Sequence, residues 1–292
     1  MKLFSVKNYY SFDYVKDVYI SKYLNKKAKL YRDEREHHMA VFANDHIGEQ
    51  IFLHGVYERK EIEIIEELFH QLGVDTSKYT AIDIGANIGN HTIMFSKFFK
   101  EVISFEPNPN TFKLLSFNTH LINNVNINNV GIGNKEEDLT LYENPTNMGG
   151  ASTKTSREKS RGIDITIKKL DSYLPDTLEN VGLIKIDVEG MEYQVLQGSL
   201  SIIEKNKPVI IFEQSVSDFI DGGNDTLSTL LLKNIGYTIY WISSEDDEVS
   251  NKWVRRINKL QKIVFNKESR IDIVTGDVIP ARFHHMLVAI SK

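Results

Sequence analysis

The sequence predicts an α/β fold, a parallel sheet covered by helices, on three observations. From Tyr79 onward, short apolar runs alternate with amphipathic stretches, the pattern of strands that feed crossover helices. The string Ala81-Ile82-Asp83-Ile84-Gly85-Ala86-Asn87-Ile88-Gly89-Asn90-His91 carries a strand straight into a glycine-bearing turn and a helix start. Three later apolar runs end in acids, at Glu106, Asp187 and Glu213.

Composition bounds the rest. The chain has 292 residues, 41% hydrophobic and 26% charged, enough to bury a sizeable core in one large domain with decorations. Its 35 Lys and Arg against 40 Asp and Glu leave a formal charge of −5, so no overall positive field draws it to nucleic acid. It has no cysteine, which removes disulfides, thiolate metal sites and thiol nucleophiles and leaves the chemistry to oxygen and nitrogen groups. Met1–Tyr10 carries no apolar h-region, and no run approaches ~18 apolar residues, so no transmembrane segment is expected and the chain reads as cytoplasmic.

Residues 1–50 read as an accessory segment and 51–292 as the main domain. Residues 1–31 mix Tyr, Phe and Lys. They form either a helical arm packed on the domain or on a second subunit, giving a homo-oligomer, or an interfacial helix in peripheral membrane contact; the modest lysine content and broken apolar stripe favour the packed arm. Met39–Phe42 and Ile51–Leu53 flank Asn44-Asp45-His46-Ile47-Gly48, which predicts a hairpin. Ile64, Ile65, Leu68, Phe69 and Leu72 recur at helical spacing and predict a helix over 61–72.

Strands are predicted at Thr80–Ile84, Val102–Phe105, Asn126–Ile132, Leu183–Ile186, Val209–Phe212, Tyr237–Ile242 and Met286–Ile290, with helices at Asn90–Phe99, Pro109–Leu121, Met191–Glu204 and Thr226–Asn234. Leu139–Tyr142 and Ile163–Ile167 alternate like two further strands. The polar segment 144–162 joins them as a long loop whose Lys154, Arg157, Lys159 and Arg161 form either a solvated excursion or a lid for an anionic acceptor. A second insert, 244–262, is acidic and then basic, and no internal repeat is present.

The first acid-ended strand predicts a ligand site. Gly85 and Gly89 allow tight turning and close approach to the main chain, and the helix after them offers its positive end. Glu106, seventeen residues past Gly89, stands where nucleotide-binding folds place an acid for ribose hydroxyls. The spacing is G-x-x-x-G, with Asn87 where a dinucleotide fingerprint has its middle glycine. Asp83 would repel an anion but suits a ligand with an ammonium and a sulfonium, such as S-adenosylmethionine.

A second group follows. Asp187 and Glu189 come immediately after the strand Leu183–Ile186, and Glu213 ends the next strand, so the three are expected to converge beside the cofactor at the carboxyl ends of the sheet. Glu192 is either part of that group or a helix cap.

Taken together, Gly55-Val56-Tyr57-Glu58, Asp83 to Gly89, Phe105-Glu106-Pro107-Asn108-Pro109, Lys185-Ile186-Asp187-Val188-Glu189-Gly190-Met191-Glu192 and Ile211-Phe212-Glu213 resemble the FkbM family of methyltransferases over about residues 50–215. The resemblance implies a Rossmann-like seven-stranded methyltransferase sheet with a reversed last strand, for which Met286–Ile290 is the candidate. It implies S-adenosylmethionine as methyl donor and O-methylation of a sugar or a secondary metabolite. By motif match, Asp83, Gly85, Asn87 and Gly89 would hold the methionine half, Glu106 the ribose hydroxyls and Asn108 the adenosine surroundings. Asn90 would lie beside the cofactor, and Glu58 would approach its amino group.

Methyl transfer to a hydroxyl is an in-line displacement aided by removal of the acceptor's proton. Asp187 or Glu213 would be the base, with Glu189 orienting a glycan, nucleotide-sugar or other small-molecule acceptor. The competing reading gives Asp187, Glu189 and Glu213 to a divalent cation such as Mg²⁺. His37-His38 and His284-His285 are adjacent residues that strands would point apart, so neither pair makes a chelate, while His91 either contacts substrate or sits on the surface. A base-amino nucleic-acid methyltransferase would carry an Asn or Asp before Pro-Pro and an aromatic where this chain has Asp187-Val188-Glu189-Gly190. A binding protein that keeps the fold without catalysis is the remaining class.

Overall fold

In the computed structural model, residues 11–35, 39–43, 45–144, 147–152, 162–220, 223–244 and 271–292 are described. The basic cluster Lys154–Arg161, most of the insert at 244–262 and the pair His37-His38 lie outside them.

Helix α1 (Phe12–Arg35) precedes α2 (His46–His54) and α3 (Arg59–Gln71). The expected hairpin is replaced by α2. Asp45 caps that helix by accepting from Gly48 N, and Gly55, at φ 85°, closes it by donating to Ile51 O. The residues before it cannot pair as a strand with Ile51–Leu53, because the Asn118 amide takes both backbone groups of Ala40.

The main sheet uses β1 (Thr80–Ile84), β2 (Glu101–Phe105) and β3 (Val125–Asn128), with α4 (Asn90–Phe95) and α5 (Pro109–Thr119) between them. Next come β4 (Gly131–Ile132), β5 (Glu137–Asn144), β6 (Asn147–Ser152) and β7 (Gly162–Lys168), then α6 (Leu170–Tyr173) and β8 (Val181–Ile186). Helices α7 (Glu192–Gln197) and α8 (Leu200–Asn206) lead to β9 (Val209–Gln214), α9 (Leu227–Asn234), β10 (Tyr237–Ser244), β11 (Ile271–Thr275) and β12 (His284–Ser291).

The sheet order is β11-β10-β12-β9-β8-β1-β2-β3. Strands β3, β2, β1, β8 and β9 run parallel, and β12 inserts antiparallel between β9 and β10, which is the reversed last strand. Among the described residues, strand β11 extends the expected seven to eight. One face packs Ala81, Val102, Leu183 and Val288 against Ile65, Phe69 and Phe95 of α3 and α4. The other packs Ile82, Ile184, Ile210 and Leu287 against Val195, Ile203 and Leu232 of α7, α8 and α9. Buried on both faces, the central strands read as continuous apolar runs.

Three further elements depart from expectation. The run Asn126–Ile132 is two strands in two sheets, because Asn129 turns its amide to the carbonyls of Glu106 and Pro107 and ends the first. The helix expected over Met191–Glu204 breaks at Gly198, whose backbone lies against that of Gly133, so that an added Cβ would collide with Gly133 O. Part of the long loop is strand β6, which pairs with β5 in a second sheet of order β4-β7-β5-β6. That second sheet was not foreseen as a separate unit. Its apolar side, Leu141, Ile165 and Ile167, faces the carboxyl ends of β1 and β2.

Candidate active site: two clefts that meet at Asp187

The turn after β1 is shaped by three left-handed residues, Gly85 at φ 82°, Asn87 at 52° and Gly89 at 95°. Gly85 is required twice over. Its φ suits glycine, and an added Cβ would come 1.8 Å from Asp187 O. The turn is fastened to β2 by Gly85 N and Ala86 N, which both donate to Phe105 O, and Asp187 N donates to Ile84 O from the other side.

A cleft opens over this turn. Ile84, Phe105, Pro107, Ile132, Leu141, Ile167 and Met191 make its apolar walls, and Gly85, Asn87, Glu106, Asn108, Asp187 and Glu189 supply its polar groups. Glu106 is fixed by two backbone donors, Asn87 N at 3.0 Å and Asn108 N at 2.8 Å, one to each oxygen. Burial pushes its carboxyl up to about 7 against the pull of those N–H groups. An apolar slot with an anchored carboxyl at one end suits a flat heterocycle carrying a diol. Asn108 caps α5 by accepting from Asn110 N, so it forms the wall through its backbone and position.

A second cleft lies on the other side of β8. Its lining includes Glu58, Glu61, His91, Lys185, Asp187, Glu213 and His285. Glu58 is brought there by Asn90, whose side chain both accepts from Tyr57 N at 2.9 Å and donates to Tyr57 O at 2.8 Å. Asn90 thus holds residues 57 and 58 and is not among the residues that line the first cleft. His91 is buried, not on the surface, with Nε2 at 3.5 Å from Glu58. Burial, then Lys185, holds its imidazole well below the ordinary range, so it is neutral.

Lys185 organises the carboxylates. Its ammonium lies 3.1 Å from Asp187 Oδ2 and 3.6 Å from Asp83 Oδ1. Asp83 is fully buried below the clefts and accepts from Thr92 Oγ1 at 2.7 Å, and Thr92 in turn contacts Ser104 at 2.8 Å. Burial works to lower the Lys185 ammonium, but Asp187, Asp83 and Glu58 outweigh it and push it up. The lysine therefore stays charged. Glu213 is raised to about 8, first by burial and then by Asp187 and Glu189; Glu58 is raised to about 7 by burial, against the pull of Lys185. Tyr57 is pushed up by burial and by Glu58, which keeps its phenol protonated.

The three acids expected to converge do so only in part. Glu189, at φ 55°, lines the first cleft, Glu213 the second, and Asp187 both. Among the described residues no group of three or more His, Asp or Glu is placed to hold a metal ion, and the donor set does not fit one. The Lys185 ammonium already stands beside Asp187, where it would repel a divalent cation. Glu192 opens α7, is buried, and accepts from Gly190 N of the preceding turn at 3.0 Å, so it neither caps the helix end nor lines either cleft. His284 is buried with Nε2 at 2.8 Å from Pro280 O, while its neighbour His285 faces the second cleft.

The sequence reading gave Lys185 no role of its own. Its signal was present, since a lysine inside the apolar run Leu183–Ile186 is costly unless buried carboxylates meet it. Tyr57 had no such signal.

A methyltransferase FkbM domain model matches residues 83–239, from the acid of β1 into β10. Methyltransferase 1 of Beauveria bassiana is 28% identical over 167 residues, 47% of this chain and 67% of its own length. The hexuronic acid methyltransferase AglP of Haloferax volcanii is 29% identical over 154 residues, 52% of this chain and 62% of its own. A solved FkbM methyltransferase of Methylobacillus flagellatus KT is 19% identical, covering 47% of this chain and 33% of that one with a TM-score of 0.34. The family match takes in the glycine turn, Glu106, Lys185, Asp187 and Glu213, and covers more than half of the chain, which belongs to the FkbM methyltransferase family.

Proposed function

We propose that this chain is an S-adenosylmethionine-dependent O-methyltransferase acting on a sugar hydroxyl. The observation that carries the reading is that Asp187 borders both clefts, so a donor in the first and an acceptor in the second would meet at one carboxylate. The first cleft fits the adenosine end, with Glu106 facing the ribose hydroxyls and the apolar walls enclosing the base. S-adenosylmethionine, when bound, supplies an electrophilic methyl group on a sulfonium.

The chain's own residues then divide the work. Asp187 is held by Lys185 and is suited to orient the acceptor hydroxyl. Glu213, with a proton affinity close to neutrality, is suited to take the hydroxyl proton as the new bond to carbon forms and the bond to sulfur breaks. Lys185 keeps the pocket from accumulating unopposed negative charge, and Glu189 approaches from the donor side. A sugar as acceptor is supported by the likeness to the hexuronic acid methyltransferase.

The test is a mass-spectrometric transfer assay with S-adenosylmethionine and a panel of sugars and nucleotide-sugars. Transfer to a hydroxyl, reduced about a hundredfold or more in Asp187→Asn and Glu213→Gln with donor affinity kept, is the expected result. Full activity in both variants would sink the carboxylate assignment. Donor binding with no transfer to any acceptor would favour a binding protein.

A further inference from the structure

Helix α1 meets the rest of the described chain mainly through α2. The joint is Tyr31, which is buried, donates its hydroxyl to Leu53 O at 3.0 Å and lays its ring on Gly55. The stretch before it, residues 12–30, is exposed almost all round. Packing of an apolar face supplies most of a helix's stability, and this stretch shows little of it.

Its surface is patterned. Phe12, Val15, Tyr19, Tyr23 and Leu30 recur at helical spacing and form one stripe, with Phe12 78%, Tyr19 69% and Tyr23 52% exposed, while Tyr14 and Ile20 are exposed outside it. Lys22 and Lys29 run along one edge of it, Lys26 lies within it, and Lys16 and Lys27 run along the other edge. Lys16 lies 5.3 Å over the Phe12 ring and pairs with Asp13 at 2.8 Å, while Lys27 lies 6.0 Å over the Tyr23 ring and donates to the Tyr31 hydroxyl at 2.8 Å. Between Phe12 and Arg32 there are six basic residues against two acids, Asp13 and Asp17, in a chain whose formal charge is −5. Asp17 stands off the stripe by helical spacing, and Asp13 is paired with Lys16 at its edge.

Against the packed arm expected from the sequence, residues 12–30 pack on little, and we propose that α1 is an interfacial helix that seats this chain on an anionic lipid surface. Aromatic and aliphatic side chains enter the headgroup boundary while lysines beside them reach up to phosphates, and Lys22, Lys26 and Lys29 are placed for that. The helix is neither long enough in apolar residues nor uniform enough to cross a bilayer, so it lies in the plane. A second copy fits this face less well. Lysines on both edges of the stripe would meet lysines of the other helix in parallel or antiparallel pairing. The inference is independent of the methyl-transfer reading, although the joint with α2 lies only three residues before Glu58, so the seat and the second cleft share one root.

The experiment is co-flotation of the full chain with vesicles of phosphatidylcholine alone and of phosphatidylcholine mixed with phosphatidylglycerol. Binding to the mixed vesicles only, reversed by high salt, is expected. A lysine near an anionic surface contributes roughly fivefold in partitioning, so Lys22→Gln with Lys26→Gln lowers it by roughly twenty-five-fold. Tyr19→Ser with Tyr23→Ser lowers it by about tenfold or more. All four positions are exposed, and an unchanged melting temperature shows that the fold persists in the variants. Absence of vesicle binding, or equal binding to neutral vesicles, overturns the proposal. So does a dimer in light scattering that the tyrosine substitutions dissociate, which would assign the face to a second copy.

Discussion

Asp83 on β1 and Lys185 on β8 are register partners in the parallel sheet, and their charged groups lie 3.6 Å apart with Asp83 wholly removed from solvent. The next strand adds Ser104 at the same level, opposite Asp83. The pair forms a floor on which the Asp187 carboxylate is held from below. An acid buried this deeply needs its counter-charge, since burial alone pushes Asp83 up toward protonation.

Removing one partner of that pair should therefore be costly. Lys185→Met is expected to destabilise the fold by about 3–5 kcal/mol, because it leaves a buried carboxyl unopposed. Adding Asp83→Asn should recover part of the loss. Urea unfolding of the single and double variants reads this out, and a Lys185→Met protein as stable as the parent would show that Asp83 is already neutral.

Stability should also fall with rising pH through the two acids of the second cleft. Glu213 ionises at about 8 in the folded chain against 4.5 as a free side chain, and Glu58 at about 7. The folded state thus binds protons more tightly than the unfolded state between these values, and its advantage is full below pH 4.5 and lost as pH rises to 7 and 8. Glu213→Gln removes the larger share. Discounted for solvent at this half-buried site, the variant gains about 1–2 kcal/mol relative to the parent at pH 8.5. Thermal unfolding across pH checks the slope, and a parent whose stability rises over this window contradicts the assignment.

Two glycines at positive φ separate strain from sterics. Gly190, at φ 96°, has open space where a Cβ would go, so Gly190→Ala carries only the backbone penalty of about 1 kcal/mol. Gly85→Ala drives a methyl group into Asp187 O and should cost several times more, spreading the turn from β8. Equal effects in the two variants would mean that the turn is looser than its hydrogen bonds indicate.

Glu106→Gln tests the first cleft as the proposed donor site, since Glu106 does not line the second cleft. Loss of a charge-assisted contact to a ribose is expected to weaken donor affinity roughly tenfold to a hundredfold, measured by calorimetry with S-adenosylhomocysteine. An unchanged affinity would remove Glu106 from the donor site.

What local periodicity could express was legible in the chain. The runs at Thr80–Ile84, Val102–Phe105 and Leu183–Ile186 are continuous because both faces of the sheet are buried, and the glycines at 85 and 89 mark a turn that only left-handed residues complete. The reversed strand came from the family resemblance and lies where it was expected, at β12. Other features depended on partners far along the chain. The hairpin expected near residue 45 gave way to a helix once Asn118 satisfied Ala40, seventy-eight residues away. Asn90 is committed to the backbone of Tyr57, thirty-three residues before it. The same is true of the acids. Their residue types announced chemistry, but only the pairing of β8 with β1 and β9 set Glu189 and Glu213 on different sides of Asp187, since a strand's order in sequence does not state which neighbours its ends will meet.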